Sequence, residues 1–354
     1  MVSLMCRYQG EVDDVDFTAK GAAGMFKSTV TVIPLLMALV GLAGCAEPPP
    51  PPPKHIGILL HGESRVPLMN GFLDEMKVLG YEAGKNIMVT TLNTNNDLKQ
   101  LGPLTKQLVE QKVDLLVAAG GLEAEEIKAQ IDAMKAQTPV LVLYINAIIE
   151  RKFVADRRNP GWNVTGIDNL NGELSGKRIE LMKDLLPNLK RILVLYHPKI
   201  EPSTIGLAHA RDEAAKHGLQ LVERAITKSD DVKQAMESLQ PGEVDAMLLV
   251  PAAPIDNELS NIIMPQTQRL KIPVVAHSRT MVRVGALASY GAPFTEIGRQ
   301  GARLAQKILN GTMASSIPFE VPAKYEYSVN LSVLRAMGVE LSSVAQSQVT
   351  ELIP

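Results

Sequence analysis

Val113-Asp114-Leu115-Leu116-Val117 has a counterpart further along the chain in Val244-Asp245-Ala246-Met247-Leu248, and this pair of stretches decides the fold. Each is a short apolar run without polar alternation, the pattern of a strand covered on both faces, as in a parallel sheet. Ahead of the first, Leu98 to Gln111 has helical spacing. Behind it come a helix from Glu123 to Ala136 and a β-rich run from Pro139 to Tyr144. Further out, Ile56-Gly57-Ile58-Leu59-Leu60 reads as a strand and Met69 to Leu79 as a helix closed by Gly80. Ile87-Met88-Val89-Thr90 reads as the next strand. Strand and helix therefore alternate, which implies right-handed crossovers and a parallel sheet.

The second stretch has the same surroundings. Ile192-Leu193-Val194-Leu195-Tyr196, a helix from Thr204 to His217 closed by Gly218, and Leu219-Gln220-Leu221-Val222 precede it; Ile272-Pro273-Val274-Val275-Ala276 follows, matching Thr138-Pro139-Val140-Leu141-Val142. The expected fold class is α/β: two Rossmann-like lobes with parallel sheets, with one continuous doubly wound sheet as the alternative. In such sheets ligands sit beyond the carboxyl ends of the strands, so two facing lobes share a cleft. The C-terminal part does not simply extend the second lobe. An extended Gly285-Ala286-Leu287-Ala288-Ser289-Tyr290-Gly291, a helix from Phe294 to Leu309, a strand from Tyr325 to Asn330 and a helix from Leu331 to Met337 suit a chain that crosses between lobes repeatedly. Several crossings make a multi-strand hinge.

The N-terminus reads as an address. Met25-Phe26-Lys27 opens a basic segment, Val30 to Leu42 is apolar, and Leu42-Ala43-Gly44-Cys45 follows. That run is short for a hydrocarbon core of roughly 30 Å. The order resembles a bacterial lipoprotein signal over residues 25–44, which implies cleavage before Cys45 and lipidation of its thiol. Residues 1–24, with Asp13, Asp14 and Asp16, are unsuited to a signal, so Met25 is the expected start of translation. Residues 45–54 form a lipid anchor and a linker whose Pro48 to Pro53 run favours an extended rod of about 3.1 Å per residue.

Composition excludes other classes. With 36 basic and 38 acidic residues the formal charge is -2, and aromatic content is 4%, so neither charge nor stacking surface suits a nucleic acid. The 2 cysteines, Cys6 and Cys45, both precede the folded region, which leaves no cysteine-based zinc site or disulfide within it.

From about Lys54 onward the chain resembles the ABC-transporter substrate-binding proteins, a family that includes tryptophan- and tyrosine-binding members and has the type I periplasmic-binding fold. The resemblance rests on Leu79-Gly80-Tyr81-Glu82-Ala83-Gly84-Lys85-Asn86-Ile87, Asn163-Val164-Thr165-Gly166, Leu185-Leu186-Pro187-Asn188-Leu189-Lys190-Arg191-Ile192 and residues 285–291, with Gly298-Arg299-Gln300 and Gly338. It implies lobe one from 55–165 and 288–318, lobe two from 166–287 and 319–354, and crossings near Thr165, Ala288 and Pro318. It also implies a small-molecule solute (an amino acid or another small carboxylate) and an ABC permease with its ATPase as partner, and with the lipoprotein signal it implies a lipid-anchored place on the periplasmic face of the cell envelope or the extracellular side of the cytoplasmic membrane.

The loops the resemblance matches supply the candidate ligand-binding residues. They are His61, Glu63 and Ser64; Gly121 and Leu122; Asn146, in Tyr144-Ile145-Asn146; His197; Asp256 and Asn257; Ser278 and Arg279; and Tyr290 near a crossing. Arg279 stands where relatives carry an acidic group, which would favour a carboxylate if it faces the cleft; a solvated surface arginine is the alternative. His61, His197 and His277 each end a strand, but no His-x-His or His-Glu-x-x-His spacing supports a metal, and no cofactor or catalytic residue is expected. Glu63-Ser64 and Ser278 lack a nucleophile elbow. Gly120-Gly121 could present N–H groups to an anion, but Glu123, Glu125 and Glu126 oppose it. Trp162 suits packing more than ligand stacking. A lipoprotein that feeds a signalling system, and a cleft enzyme of similar fold, remain rival readings.

Overall fold

The computed structural model describes residues 52–341 and 343–354. The signal segment, Cys45 and the start of the proline run lie outside the described residues. There are two separate sheets rather than one continuous one.

The first is built from β1 (Lys54–Leu60), β2 (Ile87–Asn93), β3 (Leu115–Ala118), β4 (Val140–Ile145) and β5 (Val164–Asp168), parallel throughout in the order β2-β1-β3-β4-β5. Helices α1 (Val66–Val78), α2 (Leu101–Glu110) and α3 (Gly121–Met134) connect its first strands and cover its faces. After α4 (Ser175–Leu185), the second sheet repeats the plan with β6 (Arg191–Tyr196), α5 (Glu201–Lys216), β7 (Gln220–Ala225), α6 (Ser229–Glu237) and β8 (Ala246–Leu249). It continues through α7 (Ala253–Asn257), a π-helical turn and α8 (Met264–Arg269) to β9 (Val274–Ala276). Beyond these come α9 (Arg279–Arg283) and β10 (Ala288–Gly291). The chain then forms α10 (Phe294–Leu309), β11 (Glu326–Asn330), α11 (Leu331–Ala336), α12 (Ser343–Gln348) and β12 (Glu351–Ile353). The second sheet runs β12-β11-β10-β9-β8-β6-β7. Only the β10–β11 pair is antiparallel.

The repeated Val-Asp has a structural role in each half. Asp114, just before β3, accepts the His55 N–H at 2.8 Å and pairs with Lys54 at 3.0 Å. Asp245, just before β8, accepts the Arg191 N–H at 2.8 Å and pairs with the Arg191 guanidinium at 2.9 Å. Each carboxylate clasps the first residues of the neighbouring central strand and so fixes its register. Burial pushes both carboxyls up, but the cations and backbone N–H groups outweigh it and hold them below the ordinary aspartate value.

Three segments pass between the sheets. The first follows β5, which extends through Asp168, so it lies beyond the expected Thr165. The second follows β10: Ala288 pairs with Val275 of the second sheet, and the chain leaves at Ala292 rather than at Ala288. The third lies past Glu320, not at Pro318, because Phe319 packs in the first lobe's core and Ile167 bridges Glu320. Pairing at the strand ends thus carries each crossing a few residues beyond its expected place.

Helix α10 returns to the first lobe and presses on α1. Its apolar stripe includes Ile297, Leu304, Ala305 and Ile308. The approach is backbone to backbone: a Cβ on Gly298 would strike the Leu68 carbonyl and one on Gly71 the Thr295 carbonyl. Gly298→Ala therefore lowers stability by about 1–3 kcal/mol, read as a reduced urea midpoint at unchanged slope; a midpoint equal to that of the wild type would show that these helices separate freely.

Candidate functional site

The carboxyl ends of the two sheets open on a common cleft of about 490 Å³. The first lobe lines it with His61 after β1, Ser64 and Arg65 from a 3₁₀ turn, Gly121 and Leu122 after β3, Tyr144 and Asn146 around the end of β4, and Asn169 and Asn171 after β5. The second lobe contributes Glu201 and Pro202 after β6, Ala252 and Asp256 after β8, and His277, Ser278 and Thr280 after β9. An outer groove of about 450 Å³ against α1 and α10 is built differently. Most of its charges are paired with one another, Glu75 with Arg303 and Glu296 with Arg299 and Lys324, and no strand ends there.

Of the candidates read from the sequence, His61, Ser64, Gly121, Leu122, Asn146, Asp256 and Ser278 are brought together along the cleft. Glu63, His197, Asn257, Arg279 and Tyr290 are not among its lining. Glu63 accepts from Asn93 at 3.1 Å, on an exposed edge. His197 Nδ1 accepts the Lys199 N–H within its own turn. Arg279 is engaged by Glu351 at 3.2 Å and Glu326 at 3.8 Å, so its charge ties β12 to the sheet instead of facing solute. Tyr290 stacks on Tyr325, with centroids 5.7 Å apart, at the crossing. Trp162 packs edge-on against Phe153 and donates to the Phe153 carbonyl. The three histidines are engaged separately: His61 with Thr94 at 2.7 Å, His197 in its turn, and His277 with Asp256 at 3.1 Å.

Sequence reasoning missed the residues that shape the floor of the cleft. The Arg65 guanidinium lies 4.5 Å from the centroid of Tyr144 and 5.2 Å from that of Phe294, which are themselves 5.0 Å apart edge to face. Burial pushes the Tyr144 phenol up, with Arg65 opposing. Behind them Arg178, 0% exposed, donates to the Tyr290 carbonyl at 2.8 Å, to the Asn171 carbonyl at 2.7 Å and to the Asn171 side chain at 2.5 Å. Burial lowers its pKa to about 10. The available signal was the Asn169-Leu170-Asn171-Gly172 turn cluster after an apolar run, which marks a strand-end loop. Arg178 lies within a helix and gives no such signal.

A profile of the ABC transporter substrate binding protein family matches residues 55–351. The chain belongs to that family. It is a solute-binding family, not a family of enzymes. The chain is 29% identical over 296 residues to the tyrosine-binding protein of Clostridioides difficile, an alignment covering 81% of each protein. Among solved structures it resembles the ABC domain from Streptococcus pneumoniae in complex with L-Trp, with a TM-score of 0.76, 23% identity, and 85% of this chain and 100% of that one covered. It also resembles a ligand-free, open substrate-binding protein with adhesive properties from Clostridium difficile, with a TM-score of 0.70, 26% identity, and 85% and 99% coverage.

At the first crossing a charged cluster lies behind the cleft of this substrate-binding protein. Asp168, 0% exposed, receives two bonds from Arg157 on one oxygen, while its other oxygen and Glu173 Oε2 are buried without a partner. Burial, the dominant influence, raises the Asp168 carboxyl from 3.8 to about 6 in spite of Arg157, and Glu173 adds to the rise. The folded state therefore holds this proton more tightly than the unfolded chain. That contribution to stability is complete below about pH 4 and is lost as pH rises through about 6. Asp168→Asn, neutral throughout, is expected to melt above the wild type at about pH 8, by the equivalent of up to about 3 kcal/mol, with the gap closing near pH 4. Thermal melts across that range check this, and a gap independent of pH would refute the assignment.

Proposed function

We propose that this protein is the solute-capturing subunit of an ABC-type importer, acting outside the cytoplasmic membrane. One observation carries the reading: loops from the carboxyl ends of two like-built sheets line a single cleft whose volume suits a small molecule. A solute that touches both lobes stabilises the arrangement in which they approach, and one that touches a single lobe does not. Capture is non-covalent. Among the described residues no helix is long and apolar enough to cross a membrane, and attachment is assigned to a diacylglyceryl group on Cys45, with the proline run as spacer.

The solute is an amino acid or another small carboxylate. Tyrosine gives one relative its name and a solved relative holds L-Trp, which supports that class for this chain. The protein purified from the cell envelope in detergent is expected to retain or bind one such solute and to show a smaller radius of gyration by X-ray scattering when loaded. An unchanged radius with every solute that binds would remove the clamp mechanism. Mass spectrometry of the same preparation should find the mature amino terminus at Cys45 with a lipid adduct; a terminus retaining residues 25–44 would remove the anchor.

A further inference from the structure

We propose that Arg65 is the solute's anion anchor, and that the first lobe recognises a carboxylate by charge rather than an aromatic ring by stacking. This rests on the cleft being the site of solute capture. The guanidinium has no carboxylate partner among the described residues. Of the neighbouring acids, Glu125 holds Arg151 and Glu63 accepts from Asn93, while Glu123 accepts the His61 N–H at 2.9 Å with one oxygen and has its other oxygen beside Gly120, as the Arg65 Nε also is, without forming an ion pair with it. Across the cleft, Asp256 meets His277. A half-buried guanidinium that lines a cleft and forms no ion pair has donors that a bound carboxylate would take through two parallel bonds.

A second observation points the same way. Asn169 lies at the same cleft, is 2% exposed, and its amide Nδ2 is buried without a hydrogen-bond partner, its oxygen being used by the Asn171 N–H at 2.9 Å. A buried donor left unpaired is unfavourable until an acceptor arrives. Arg65 and Asn169 can only donate with these atoms, so the complementary ligand group is an acceptor, and a carboxylate serves both.

The aromatic pair has a different part. Tyr144 and Phe294 lie beneath the guanidinium, at 4.5 and 5.2 Å, and hold it in place. A pinned arginine loses little side-chain freedom on binding, which favours the ligand-bound state. Arg65 covers one face of each ring, so that face is not open to a ring of the solute.

The test uses the envelope-purified protein and calorimetric titration with matched acids and amides that differ in their one carboxylate: L-tyrosine with L-tyrosinamide, L-leucine with L-leucinamide, and 4-hydroxyphenylacetate with its amide. In whichever pair binds, the acid is expected to bind about 10- to 100-fold more tightly. Arg65→Gln removes that preference while leaving the melting temperature near that of the wild type, and Arg65→Lys, which keeps the charge but loses the fork, retains part of it. An acid and amide that bind alike, or an Arg65→Gln protein that still prefers the acid, overturns the anchor. Arabinose or an amide that closes the lobes with no effect of Arg65→Gln also overturns it but leaves solute capture standing. If no solute of any charge binds or compacts the wild-type protein, both readings fail.

Discussion

The buried Arg178 side chain is the interaction on which the arrangement of the lobes depends. It is anchored on α4, in the second lobe, yet its donors reach the Asn171 loop at the first crossing and the Tyr290 carbonyl at the second. No carboxylate neutralises it among the described residues. Its charge is instead spread over backbone and amide oxygens, the arrangement that lets a buried guanidinium survive desolvation. Two of the three crossings are thereby fixed to one rigid group. The third joins them through the Tyr290–Tyr325 stack and through the Thr165 hydroxyl, which donates to the Pro318 carbonyl at 3.2 Å. A hinge made this way can bend around that point but resists sliding, which is what a cleft that closes on solute requires.

Imperfect satisfaction is concentrated near the same place. Among the described residues the buried side-chain polar atoms without partners are Asp168 Oδ1, Asn169 Nδ2, Glu173 Oε2, His277 Nδ1 and Tyr327 Oη, and of these only the last belongs to the interior of the second lobe away from the cleft and crossings. Buried polar groups are nearly always paired, so a group of exceptions beside a cleft marks where the fold gives up some stability. The sheets show the opposite. Their repeated Val-Asp clasps are fully engaged, and strands such as β3 and β8 are buried from end to end.

This division explains what could be read from the sequence. The sheets were legible because their signal is local: an apolar run, a turn, a helix closed by glycine, repeated in the same order. The strand-end loops were legible for the same reason, and seven of the candidates drawn from them line the cleft. Arg65, Phe294 and Arg178 were not, since each acquires its role from partners far along the chain, whereas Asn169 lay in a turn cluster that marked its loop but not its unpaired amide. Arg279 shows the converse. Its loop position was sound, but whether it faces solute depends on Glu351, in a C-terminal strand that local pattern did not reveal.

Recognition can therefore change without disturbing the clamp. Arg178, the aspartate clasps and the glycine-to-backbone contact between α1 and α10 maintain two lobes and a hinge whatever the cleft contains. Arg65 and Asn169 stand on turns at strand ends, where substitution alters the lining without altering sheet register. A carboxylate drawn to Arg65 touches only the first lobe and contributes affinity without closure. Closure requires the rest of the molecule to reach Asp256, Ser278 or Thr280 on the other side, so the solute's length and its second polar group decide whether binding becomes capture.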